Sequence, residues 1–169
     1  MKPKIIILIV LVCLVIIGLM FWGYEKGGST SASVQGVFST NKESVLSAPV
    51  TFYDFGAISM KNGDVTKDFT ITNSTSTDIA IRGIETSCMC TDALLVLSDG
   101  STKGPFGMSG MGRTTTNEII KAGESGIVRV VYDPNAHGPA GVGSINRFVM
   151  VTDAQGGMLK FEIKAVVTP

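Results

Sequence analysis

The segment "SCMCTDA", residues 87–93, sets Cys88 and Cys90 one residue apart around Met89. Two thiols at that spacing allow three chemistries. As thiolates on one face they can pinch a soft ion, and soft sulfur ligands select Cu(I) or Zn. They can also close into a disulfide, or fill a core as two small hydrophobes. In an extended strand alternate side chains share a face, so both sulfurs would lie on one side and Met89 on the other. On that geometry the Cα atoms approach the ~6.8 Å upper limit for a bridge, so a disulfide is expected to be strained and easily reduced. Its loop is also too small to add much chain-entropy stabilisation.

Other soft donors stand elsewhere in the chain. "KGPFGMSGMGR" (103–113) carries Met108 and Met111 in a Gly-rich stretch, inside a connection at 98–118. That is longer than the ~12–15 residues usual for structureless loops, and such long loops are commonly functional. "DPNAHGPAGVG" (133–143) carries His137, the only histidine. Cys88, Cys90, His137, Met108, Met111 and Met89 therefore form a candidate ligand set, with Cu(I) ahead of Zn on softness. Against it, loop methionines often fill irregular gaps, and a single loop histidine often does no chemistry.

Other reactions lack their parts. Blue copper needs two histidines with a cysteine, and a zinc histidine triad needs three, whereas this chain has one. A Cys–His nucleophile pair finds no evident orienting Asn/Asp or oxyanion motif. "GPFGMSGMG" is not followed by the Lys-Ser/Thr that cradles phosphate, and no GxSxG or HExxH occurs. No catalytic residue is assigned, and a non-enzymatic binding module is expected. The 14 basic and 14 acidic residues cancel, which leaves no electrostatic footprint for nucleic acid. "NST" at 73–75 is a formal glycosylation sequon.

These residues need elements to position them and a compartment to work in. Residues 5–22, "IIILIVLVCLVIIGLMFW", contain no charge. As a helix they would span roughly 27 Å, close to the ~30 Å hydrocarbon core of a bilayer. Lys2 and Lys4 precede the span, and Phe21, Trp22 and Tyr24 supply interfacial rings at its far end. The expectation is an uncleaved membrane anchor over residues 1–26, single-pass, with the C-terminal part outside the cytoplasm. A cleaved signal peptide is the alternative, although its apolar region usually runs ~7–15 residues. Cys13 falls inside the span as a small hydrophobe. Residues 27–48 are rich in Gly, Ser and Thr and read as a flexible tether. Residues 49–169 then form one domain of ordinary size.

That domain reads as all-β. Alternating segments at 50–58, 65–73, 78–84, 124–134, 145–153 and 157–167 are separated by turn residues. In the last, Leu159, Phe161 and Ile163 alternate with Lys160, Glu162 and Lys164, the pattern of a half-buried strand. Six or seven strands with no amphipathic helix predict an immunoglobulin-like β-sandwich. Cys88 and Cys90 are too close in sequence to form that fold's inter-sheet disulfide.

The stretch from Phe52 to Ala93, with "IIKAGESGIVRVVYDP" after it, resembles the bacterial domain of unknown function 1573 family. The matching features are Asp54-Phe55-Gly56, Asn73, Ser87-Cys88-Met89-Cys90-Thr91, Ala122-Gly123-Glu124 and Asp133-Pro134. The resemblance implies an immunoglobulin-like fold and export, and no settled activity. Met89 stands where glycine is common, and 98–118 reads as an insert. Two readings compete with the copper site: a structural module that recruits an envelope protein, and a thiol–disulfide redox protein.

Overall fold

A computed structural model of the protein describes residues 42–169. The expected membrane span over residues 5–22, with Cys13 in it, and most of the tether lie outside the described residues. Among the described residues, no helix is long and apolar enough to cross a membrane.

Among the described residues, nine strands build two sheets. They are β1 (Phe52–Ser59), β2 (Val65–Thr72), β3 (Ile79–Thr86), β4 (Thr91–Val96), β5 (Thr102–Phe106), β6 (Thr115–Ile120), β7 (Ser125–Tyr132), β8 (Gly143–Asp153) and β9 (Met158–Thr168). One sheet has the order β1-β9-β8-β3-β6 and the other β2-β7-β4-β5. Pairing is antiparallel except between β1 and β9, which run parallel.

Alternation explains which side chains meet between the sheets. On β9, Leu159, Phe161, Ile163, Ala165 and Val167 are buried, while Lys160, Lys164 and Val166 face out. Phe69 and Ile71 of β2 and Val128, Val130 and Tyr132 of β7 supply the opposing wall. Phe69 stacks on Phe161 across the gap, with ring centroids 4.8 Å apart. Burying a side chain of this size is worth about 1.5–3 kcal/mol, so one shared core holds the two sheets together.

Beyond the cysteine segment described below, the structure departs from the sequence expectation in two places. The stretch 98–118, read as a long loop or insert, contains β5 and β6. Both are edge strands, each paired on one side only. An edge strand needs no buried alternation, and it tolerates Pro105 because one row of backbone donors faces no partner. The second departure is at residues 42–48, which composition assigns to the tether. Leu46 is buried there, Glu43 bridges to Met158, and Ser47 bridges to Thr72. Ser44 Oγ donates to Asp153 Oδ2 at 2.6 Å, and Val45 N donates to the same oxygen at 3.3 Å. Gly157 makes that docking feasible, since a Cβ there would lie 2.6 Å from both Asp153 Oδ2 and Ser44 Cα.

Each change of sheet requires a crossing, and the strand directions gather these crossings at two ends. At one end lie 60–64, 87–90, 107–114 and 133–142. At the other lie 73–78 and 121–124, together with the hairpin turns at 97–101 and 154–157. Three of the four crossings at the first end carry the candidate ligands.

Candidate thiol–imidazole site

Residues 87–90 form a turn between β3 and β4, so the Cys-x-Cys pair is not in an extended strand. The turn begins where β3 leaves its neighbour β8. Ser87 N donates to Phe148 O, and Phe148 N donates to Ser87 Oγ, both at 2.9 Å. It ends where β4 joins β7, with Thr91 opposite Tyr132. Thr91 N donates to Cys88 O at 3.1 Å and closes the turn.

Folding back in this way draws the two Cα atoms to 5.3 Å, inside the ordinary range for a bridge, and the sulfurs form a Cys88–Cys90 disulfide. The expected placement of both sulfurs on one face of a strand is therefore corrected. A turn brings them together where an extended chain would hold them further apart.

The second crossing delivers the imidazole. Asp133 N donates to Cys90 O at 2.9 Å, so the chain leaving β7 starts its crossing against the cysteine turn. Asp133 Oδ1 accepts from Asn135 N at 2.7 Å, and Asn135 Nδ2 donates to Met60 O at 2.9 Å, which fastens the loop to its other neighbour. Gly138, at φ 53, takes the left-handed turn directly after His137. His137 Nε2 then lies 3.3 Å from Cys88 Sγ. The two sulfurs and a ring nitrogen of His137 all lie within 4.8 Å of one another.

The sulfurs differ in surroundings. Cys90 is 2 % exposed, whereas Cys88 is half-buried and His137 exposed. Arg147 Nε of β8 donates to Cys90 Sγ at 3.2 Å. Arg147 also bears on Tyr132. Burial pushes that phenol's pKa above its ordinary value and Asp133 adds to the shift, while Arg147 opposes it. Sequence reading missed Arg147, yet it left a signal. Ile145, Val149 and Val151 are buried, so Arg147 holds a core-facing place in the period-2 alternation of β8. A cation there needs a partner inside, and it finds sulfur.

The methionines lie at the same end but less centrally. Met108 is half-buried at the start of the third crossing, and its backbone bridges to Thr86, two residues before Cys88. Met89 and Met111 are 52 % and 61 % exposed. The tight cluster is thus Cys88, Cys90 and His137 beside Arg147, with Met89 on the cysteine turn and Met108 and Met111 on the separate 107–114 crossing.

Residues 46–96 match the family described as a protein of unknown function, DUF1573. The match is to this segment alone. It runs from Leu46 to the end of β4, so it includes the cysteine turn and stops short of His137 and Arg147. No curated protein matches the chain. Among solved structures, a protein of unknown function from Porphyromonas gingivalis W83 is 18 % identical with a TM-score of 0.52. The alignment covers 74 % of this chain and 47 % of that one, so the chain spans about half the length of that structure. A PapD-like domain of human CEP192 is 12 % identical with a TM-score of 0.47, covering 83 % of this chain and 96 % of that one. At 18 % identity the likeness to the Porphyromonas gingivalis protein is one of fold alone.

Proposed function

We propose that the protein is a membrane-anchored, extracytoplasmic immunoglobulin-like module that binds Cu(I). In the dithiol state, Cys88 and Cys90 supply two thiolates and His137 an imidazole. One observation carries this reading: two sulfurs and a ring nitrogen from two separate sheet crossings lie within 4.8 Å of one another. Such donors suit a soft ion.

Charge separates the candidate metals. Two thiolates with Cu(I) carry a net charge of −1, which the Arg147 guanidinium beside Cys90 offsets. The same ligands with Zn(II) are neutral, and Arg147 would leave an uncompensated positive charge at a half-buried site. The arrangement therefore favours the monovalent ion. Membrane attachment rests on the uncharged run at 5–22 and the lysines before it.

Cu(I) titration of the reduced full-length protein in detergent, against a competing chelator, tests the proposal. Tight binding of one equivalent that disappears in the Cys88→Ser/Cys90→Ser variant supports it. Equal, weak binding by both proteins overturns it.

A further inference from the structure

The cysteine turn has an asymmetry that copper binding does not need. Cys90 is sealed in, and its sulfur receives Arg147 Nε at 3.2 Å, with Thr91 Oγ1 at 3.7 Å. Cys88 is half-buried on the side where His137 is exposed. A disulfide is cleaved by a thiolate at the sulfur it can reach, and cleavage is faster when the departing sulfur is stabilised as an anion. Accessibility here selects Cys88 as the sulfur attacked, and charge selects Cys90 as the one that leaves. The geometry points to a thiol–disulfide exchange activity in which an external thiolate attacks Cys88 Sγ and Cys90 departs as a thiolate held by the Arg147 guanidinium.

The external reactant is a dithiol. Its first thiolate forms a bond to Cys88 Sγ while the Cys88–Cys90 bond breaks, and the electron pair of that bond goes to Cys90. The dithiol's second thiolate then attacks its own sulfur in the mixed disulfide. That closes the reactant's disulfide and releases Cys88 as a thiolate. Two electrons pass from the dithiol to the cysteine pair, and the two protons lost by the dithiol end on Cys88 and Cys90. Met89 on the cysteine turn, Val142 on the His137 crossing and Met111 on the 107–114 crossing are exposed at this end of the sandwich, apolar surface suited to a dithiol carried on a polypeptide segment. The activity shares its cysteines with the proposed copper site but uses no metal, so either can fail alone.

The test uses oxidised full-length protein in detergent with a metal chelator present. Brief exposure to glutathione, followed by alkylation and peptide mapping of residues 87–91, locates the mixed disulfide without any variant and keeps Cys13 out of the count. Glutathione on Cys88 is expected. Glutathione on Cys90, or equally on both, overturns the proposal. Arg147→Met is expected to slow reduction of the pair by dithiothreitol roughly tenfold, with Arg147→Lys recovering part of the rate and thermal melting reporting that both variants are folded. Folded Arg147→Met reacting at the wild-type rate also overturns it. Replacing glutathione with a reduced dithiol peptide separates the sources: a higher rate per thiol assigns the site to protein dithiols, and an equal rate to small thiols.

Discussion

Both ends of the sandwich use the same device, a pair of neighbouring crossings between sheets tied by one short polar segment, and they put it to opposite use. At the end away from the cysteines, Asn73 ties 73–78 to 121–124. It is fully buried, and its Nδ2 donates to Thr77 O at 2.8 Å and Ile120 O at 2.9 Å. Its Oδ1 accepts from Thr75 N and Thr75 Oγ1, and Gly123 N donates to its backbone oxygen at 2.8 Å. Every polar group of Asn73 has a partner, which makes it a closed joint between the two crossings. At the cysteine end, Cys90 and Arg147 are tucked in, but Cys88 and His137 remain reachable. A buried polar group that is fully partnered gives stability, whereas a cluster left half open can react.

That contrast can be broken by substitution. The largest effect is expected from Cys88→Ser/Cys90→Ser. Cu(I) affinity should fall by about a thousandfold, roughly 4 kcal/mol, in chelator competition. Folding should change far less, because so small a loop removes little chain entropy. Asn73→Ala should do the reverse. Unfolding in urea should come about 3 kcal/mol earlier, with Cu(I) affinity of the folded protein unchanged.

Asp153 sharpens the contrast through pH. Burial alone would raise its pKa, but hydrogen bonds from Ser44 Oγ and from the Gly157, Gln155 and Val45 amides outweigh that, and the pKa is lowered. A carboxylate with a depressed folded pKa gives its full stabilisation above the unfolded value of about 3.9. It loses that stabilisation as pH falls through the folded value. Denaturation midpoints should therefore drop below about pH 4 in the wild type. Asp153→Asn should be less stable at neutral pH by about 2 kcal/mol and less sensitive to acid. The smallest shift belongs to the reactive end. His137→Ala should weaken Cu(I) by roughly tenfold, about 1.4 kcal/mol, and leave melting temperature within error, since its ring is exposed and caps nothing. Equal loss of stability from Asn73→Ala and His137→Ala would erase the distinction between the ends.

Much of the fold was legible because alternation is a strong signal where a strand has one wet face, as in β2, β8 and β9. It was silent for β5 and β6. "TKGPF" and "TTNEII" each bury only their last residue, so nothing in them must repeat every second residue. Leu46 was lost for a related reason, since one apolar residue among Ser, Val and Ala sets no period. The cysteines announced themselves by type. Their geometry did not, because a Cys-x-Cys sequence reads the same whether it continues a strand or turns between sheets. His137 could be nominated as the single imidazole, but its approach to Cys88 depends on the pairing of Thr91 with Tyr132, a contact between distant parts of the chain. Arg147 was readable only once the core-facing parity of β8 was known.

The docking of residues 43–47 has a consequence for reach. They pair with Met158 and Thr72, so the polypeptide joins the sandwich at its closed pole. Whatever grips the preceding residues pulls on the joint that Asn73 and Asp153 have locked, while the sulfur pole lies the full length of the strands away.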